Sequence, residues 1–233
     1  MLGIIIGVGA VIAMVAVGAG AQSRVAEQIQ SLGSNLIIVL SGTTTSGGVR
    51  LGHGTQLTIT EEDAWAVMRE VPDVQAAAPS MRGSGQVVYS NLNWSTILQG
   101  VTPEYFEARE WAVVAGKPFA QEDVDGATKV ALLGQTVLQN LFGDSDPLGQ
   151  VIRIRKVPFT IIGVLDRKGQ STWGQDQDDT ILIPLSTAKK KVLGVSQANA
   201  RSVGAISIKV KEGGDMKEAE QQIRDLLRQR HRL

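Results

Sequence analysis

Apolar and polar residues follow three different rhythms along the chain. From Leu2 to Ala21 (LGIIIGVGAVIAMVAVGAGA) there is no charged and no strongly polar side chain. As a helix this run would rise about 30 Å, the thickness of a bilayer's hydrocarbon core. A soluble helix seldom stays apolar on every face for so long, so the pattern predicts a membrane-spanning helix. Gly3 and Gly7 form a small-xxx-small pair that lets a second helix approach, and they are the candidate helix-packing residues. Two other readings stay open. Ala19-Gly20-Ala21 fits the small-residue rule for signal-peptide cleavage before Gln22. Against that, no Lys or Arg precedes the run, and the run is longer than a typical signal core. A buried core helix is the third reading. From Gln22 to Leu32 the rhythm becomes amphipathic, with Val25, Ile29 and Leu32 on one stripe. This predicts a stalk continuous with the span, ended by Gly33.

Beyond Gly33 the pattern alternates between short strands and short helices. LIIVL at 36–40 reads as a buried strand, and Ser41 to Gly54, rich in Gly, Ser and Thr, as an exposed, mobile loop. Thr60 is placed to cap a helix from Glu61 to about Glu70, with Asp63 three residues on and Glu61 and Glu62 favouring the helix dipole. Pro72-Asp73 ends that helix and Val74 begins extended chain. Strands are expected at 87–89, 96–101, 129–133, 151–154, 159–165, 180–183 and 203–210. Helical stretches are expected at 102–106, at 135–142 closed by Gly143, and after Ser186 as a cap. A last helix is expected after Asp215, with Glu218 at capping-box spacing and Ala219, Ile223, Leu226 and Leu227 as its apolar stripe. Lys168 to Asp179 reads as a polar loop. The sum is an α+β fold.

Charge and composition narrow the chemistry. The chain has 233 residues, with 23 Lys plus Arg balanced by 23 Asp plus Glu, so electrostatics give no reason to propose a nucleic-acid partner. It contains no cysteine, which excludes disulfides and thiolate metal sites. No GxxxxGK[ST] phosphate loop is present: Gly116-Lys117 runs into Pro118 and lacks the upstream glycine. No GxSxG elbow is present either. His53 and His231 lie far apart without acidic or Cys neighbours at ligand spacing, so neither is expected to bind metal. Asp176, Asp178 and Asp179 lack the frame of a calcium loop and read as solvated. Arg228, Arg230 and Arg232 read as cations favouring a helix C-terminus. Trp65 reads as core. No catalytic, cofactor-binding or metal-binding residue is assigned.

Several ordered motifs carry a resemblance. The apolar run followed by SLGSNLIIV (31–39), then GVTPEYF (100–106), AGKPF (115–119), KVALLG (129–134), LFGDSDPLGQVIRI (141–154), FTIIGVL (159–165), ILIPLSTA (181–188) and LLRQRHRL (226–233), resembles the MacB type of ABC-transporter permease across nearly the whole chain. The resemblance implies a transmembrane helix and stalk at 1–33. It implies a porter-like split βαβ subdomain at 34–105 and 186–233, with a small α/β subdomain inserted at 106–185. It further implies a non-catalytic permease fragment in the bacterial inner membrane, with most of its bulk outside the cytoplasm. That fragment would pass ATP-driven motion to outer partners, in efflux or export. ATP and Mg would sit on a partner nucleotide-binding domain. The implied partners are that ABC ATPase domain, a second permease copy, membrane lipid and, in a Gram-negative cell, a periplasmic adaptor and outer-membrane channel. Such permeases carry a cytoplasmic segment before the first span and three further spans, so the chain reads as a fragment. The alternatives are a secreted or membrane-anchored periplasmic binding or adaptor module, a relative of the lipoprotein-release permeases, and a membrane-anchored enzyme, which the missing motifs disfavour. Thr43, Gly47, Gly48 and Gly52 in the Gly/Ser/Thr loop, and Trp173 in the polar loop, are the candidate partner contacts.

Overall fold

The computed structural model describes residues 35–42, 58–171, 174–195 and 199–232, together with the backbone of 45–46 and 49–50. The apolar run with Gly3 and Gly7, the stalk, and the candidate contacts Thr43, Gly47, Gly48, Gly52 and Trp173 all lie outside the described residues. Among the described residues no helix is long and apolar enough to cross a membrane.

The strands are β1 (Leu36–Leu40), β2 (Thr45–Ser46), β3 (Val49–Arg50), β4 (Ile59–Thr60), β5 (Val74–Tyr89), β6 (Leu92–Val101), β7 (Val113–Gly116), β8 (Val130–Leu133), β9 (Val151–Ile154), β10 (Val157–Leu165), β11 (Thr180–Pro184), β12 (Ser202–Val203) and β13 (Ala205–Val210). The helices are α1 (Glu61–Glu70), α2 (Glu104–Ala108), α3 (Gln121–Asp125), α4 (Gln135–Leu141), α5 (Leu185–Thr187) and α6 (Met216–His231). A π-helical stretch, Ala188–Leu193, continues α5.

Nine strands form one sheet in the order β1-β13-β5-β6-β11-β8-β10-β7, with β9 bridging β10 and β5. β5 is central because it is long enough to serve two neighbourhoods. Its first half pairs antiparallel with β13, from Val74↔Val210 to Ser80↔Ala205. Its second half pairs with β6 along Ser80–Tyr89 and with β9 at Val87↔Ile154 and Val88↔Arg153. The pairings β5-β6-β11-β8-β10-β9 therefore return to β5, and these six strands close on themselves. β9 alternates Val151 and Arg153 outward with Ile152 and Ile154 inward, as a half-buried strand must.

Three cores result. The inside of the ring holds Val87, Leu98, Ala131, Leu133, Ile152, Ile154, Phe159, Ile161, Ile181 and Ile183. It is plugged by Val137, Leu141 and Phe142 from the α4 side and by Ala188 and Val192 of the π-helix. The second core lies where α1 and α6 cover the first half of β5 and β13, through Ala64, Val67, Val71, Ala77, Ile206, Ile208 and Ile223. The third lies on the opposite face, where α2 and α3 pack Tyr105, Ala108 and Val124 over Ala76, Ala78, Leu132 and Leu182. The run of alanines at 76–78 is what lets one strand carry helices on both faces at close range. It is also why the sequence pattern expects only extended chain from Val74 and a strand from Val87, where one strand runs throughout: Ala, Ser and Gly have weak β preference, and packing overrides it.

Several expectations need correction. Ser41, expected in the exposed loop, is fully buried: its hydroxyl donates to the Val203 carbonyl at 2.8 Å and accepts from Thr58 N–H at 3.1 Å. Within the same loop, β2 and β3 form a two-stranded ribbon, Thr45↔Arg50 and Ser46↔Val49. Ser186 does not cap a helix. α5 begins after Pro184 without a side-chain cap, and the Ser186 hydroxyl donates to the Val124 carbonyl instead. Trp65 is only half-buried and belongs to none of the cores, because α1 turns Asp63, Ala64, Ala66 and Val67 inward. Asp215 does cap α6, accepting from Lys217 and Glu218 N–H, but the Glu218 carboxylate accepts from Gln222.

Candidate coupling site at the first turn of α1

The segment Thr60-Glu61-Glu62-Asp63 starts α1 with a complete capping box. Asp63 N–H donates to the Thr60 hydroxyl, and Thr60 N–H donates to the Asp63 carboxylate at 2.9 Å. Three acidic side chains at a helix N-terminus favour the macrodipole. The fold gives them a further task, since each one pairs with a cation from a different element. Glu61 binds Lys189 of the π-helix at 2.5 Å. Glu62 binds Arg201, just before β12, at 3.1 Å. Asp63 binds Arg230 Nε at 2.7 Å and His231 Nε2 at 2.9 Å, both on the last turn of α6. The Glu61 N–H also donates to the Arg201 carbonyl at 2.9 Å.

These three pairs are not equal. The Glu62–Arg201 pair is well exposed, with side-chain exposures of 44% and 81%, and contributes little. The Asp63 side chain is 2% exposed and the Lys189 side chain 7%. Removing a partner from either leaves a charge out of water, which costs far more than a surface pair is worth. Burial by itself pushes the Asp63 carboxyl up. The Arg230 guanidinium, the Thr60 N–H, His231 and the Thr60 hydroxyl more than offset this and hold it below the ordinary carboxylate value.

Lys189 also donates to the Ala200 carbonyl at 2.9 Å. Its neighbours in the π-helix, Ala188 and Val192, face the ring interior, and Leu193 packs against both the ring core and the second core. The π-helix can lie this close because Gly100 and Gly83 sit beneath it: a Cβ on Gly100 would stand 2.2 Å from the Ala188 Cβ. Arg155, in the β9–β10 turn, donates to the Val192 carbonyl at 3.0 Å and to the Ser84 carbonyl at 2.7 Å. It thereby clamps the far end of the π-helix to the ring. Arg155 and Lys156 both have positive φ, as a two-residue hairpin turn requires.

Beside the junction runs a groove of about 860 Å³, with β1 residues Leu36 to Val39 on one wall and Met216, Ile223 and Leu227 of α6 on the other. His231 stands at its end. Ile38 and Leu40 on β1 are about half exposed, at 49% and 51%.

A second polar cluster lies in the 168–179 loop. Asp178 is buried, not solvated, and accepts from Lys168 and Gly169 N–H at 2.7 and 3.0 Å. Asp176 accepts from the Thr136 hydroxyl at 2.6 Å, and Asp179 from the Trp94 indole at 2.8 Å. The Lys168 ammonium donates to the Arg109 carbonyl at 2.6 Å and lies 5.5 Å from the Trp111 ring centre. Desolvation first, and the nearby Arg109 charge second, lower its pKa to about 8, against the raising influence of Glu110 and Asp178. The carboxylates are thus occupied as structural acceptors, and among the described residues no three His, Asp or Glu side chains converge as a metal site would need.

Sequence reasoning found Thr60 and Asp63 as a cap but missed their tertiary partners. The sequence offers Arg230 only as a cation at a helix end and gives His231 no role.

Three comparisons bear on this geometry. Residues 1–226 match the family model described as MacB-like periplasmic core domain. The chain is 38% identical, over all of its 233 residues, to the macrolide export ATP-binding/permease protein MacB of Bdellovibrio bacteriovorus, covering 35% of that protein. It is 43% identical over 205 residues to the protein of the same name from Syntrophobacter fumaroxidans, covering 88% of the chain and 29% of that protein. The chain therefore spans about a third of the length of such relatives. Among solved structures, the periplasmic region of MacB from Actinobacillus actinomycetemcomitans superposes with a TM-score of 0.71 at 25% identity, covering 88% of each chain. The extracellular domain of the ABC-type transporter YknZ from Gram-positive bacteria superposes at 0.65 with 19% identity, covering 84% of this chain and 95% of that one, which speaks to the fold alone.

Proposed function

Because this chain belongs to the family of MacB-like periplasmic core domains, we propose that it is the extracytoplasmic part of an ABC-transporter permease and serves export. In this reading Leu2–Ala21 anchors it in the inner membrane, with Gly3 and Gly7 packing against a neighbouring helix. Nucleotide chemistry belongs to a separate ATP-binding part, in keeping with relatives named ATP-binding/permease proteins and with the lack of a phosphate loop in this sequence. The domain works by passing motion from the membrane to partners outside it: a second permease copy and, in a Gram-negative envelope, an adaptor leading to an outer-membrane channel. Thr43, Gly47, Gly48, Gly52 and Trp173 are the proposed partner contacts. Residues 34–105 and 186–233 form the porter-like unit, with 106–185 inserted.

The observation that carries this reading is the match of this whole chain to about a third of the length of macrolide export permeases, at 38% and 40% identity. The ionic attachment of α6's last turn, the lever in this reading, to the buried Asp63 supports it, because a part that passes on motion must be fixed to what it moves. The test is a graft. This chain replaces the matching segment of the Bdellovibrio relative, and macrolide susceptibility is measured in an export-deficient host. The reading predicts restored macrolide resistance that is lost when the ATP-binding part is inactivated. A chimera that inserts in the membrane, hydrolyses ATP and confers no resistance would contradict it.

A further inference from the structure

We propose that the first turn of α1 is a relay, carrying a displacement of the last turn of α6 into the six-stranded ring through two ionic links in series, each with one buried partner. The proposal rests on the coupling reading above and assigns the residues that would do the coupling.

The first link is Asp63 to Arg230 and His231, which fixes the end of α6 to α1. The second is Glu61 to Lys189, which fixes α1 to the π-helix. Glu61 and Asp63 lie within one helical turn, stiffened by the capping box, so a pull on one is delivered to the other without slack. Past Lys189 the path is short. Ala188 and Val192 are part of the ring core, and Arg155 ties the Val192 carbonyl to the hairpin of β9 and β10. α6 itself contributes no residue to the ring core: its buried Ile223 belongs to the second core. Apolar contacts there let a helix slide, whereas an ion pair with one partner out of water holds one arrangement and opposes separation, because parting leaves the buried charge unpaired. A π-helical turn is uncommon and is kept by its surroundings. Here it is pinned on one side by Glu61 and on the other by Arg155, which makes it the element best placed to yield when the relay pulls.

The chain has no cysteine, so introduced pairs are the sole labels. Spin labels at Gln229→Cys on α6 and Gln139→Cys on α4 report the distance from lever to ring, since both positions are exposed. A second pair, Gln229→Cys with Arg69→Cys, reports lever to α1, and a third, Gln139→Cys with Arg153→Cys, reports the ring alone. Pulsed distance measurements on the whole chain should give narrow distributions for all three. With Lys189→Met the lever-to-ring distribution should widen about twofold, while lever-to-α1 and the ring pair stay narrow. With Arg230→Gln plus His231→Gln, which leave the capping box intact, both lever distributions should widen. Glu61→Gln replaces Lys189→Met if the latter does not fold, and its expected effect is the same. A folded Lys189→Met or Glu61→Gln protein with an unchanged lever-to-ring distribution overturns the relay. These distances answer for the relay whatever the macrolide graft says about export, so the two ideas can fail separately.

Discussion

The six-stranded ring and the layer that α1 and α6 form on β1 and β13 share a strand, since β5 runs through both, yet they solve the edge problem differently. In the ring every strand has two neighbours, and its inward side chains Ile152, Ile154, Phe159, Ile161 and Ile181 have no exposed surface. Closure removes unpaired backbone and leaves nowhere for a side chain to give way. In the layer, β1 pairs only with β13 in the sheet, Ile38 and Leu40 are half exposed, and the groove against α6 lies open among the described residues. The same sequence thus builds one part closed on itself and one with an open edge, and the proposed coupling assigns rigidity to the first and repositioning to the second. Charged pairs, the shared strand β5 and Leu193, which packs on both cores, hold the second to the first. A device that carries motion needs both kinds of part.

That contrast can be broken most severely from inside the ring. Phe159→Ala should cost about 3–5 kcal/mol by cavity formation, seen as a large drop in the midpoint of denaturant unfolding. Because β5 is shared, the layer should unfold with it. Ile223→Ala, on α6, should cost roughly 2–4 kcal/mol. Here the asymmetry should appear: hydrogen exchange should accelerate in α6 and α1 while the ring strands keep their protection. Asp63→Asn should cost about 2 kcal/mol by weakening the cap and the ionic link together. Its effect should also vanish in acid. The carboxyl titrates lower when folded, so its contribution is fully present above the ordinary Asp value near 4 and fades as pH falls through the folded value. Thermal scans between pH 3 and 7 should show the parent and the variant converging at the acid end.

The smallest effect concerns Lys168, beside Arg109 and Trp111. Its ammonium is disfavoured in the fold, with a pKa of about 8, so the unfolded chain binds more protons between that value and the ordinary lysine value near 10.4. Stability should therefore rise with pH through this window. Lys168→Met should remove that contribution, so the melting temperature of the parent relative to the variant should climb between pH 8 and 10. No such climb is expected on the acid side.

Local signals were legible in the sequence where local physics decides. The boundaries of α1 follow from Thr60 and Pro72, β9 from its alternation and β10 from its apolar run. β5 shows only its two ends, extended chain from Val74 and a strand at 87–89, because its middle is Ala, Pro, Ser and Gly, which fit helices on both faces rather than favour a strand. The π-helix gave no periodic signal, since its register depends on Gly83 and Gly100 lying beneath it. The junction was half visible. Glu61, Glu62 and Asp63 announce a helix start, but their partners lie up to 168 residues away, and no spacing rule reaches that far. Arg230 and His231 fit the helix-end rule for cations so well that a tertiary role left no residue unexplained.

Native-state hydrogen exchange on the whole chain, read strand by strand as denaturant is raised, tests the division of labour most directly. If the ring is the rigid part and α6 the repositionable one, β8, β10 and β11 should exchange only through global unfolding. α6 should exchange through a separate, lower-energy opening, and Asp63→Asn should lower that opening further without touching the ring. A single opening energy common to α6 and the ring strands, in both proteins, would contradict the account.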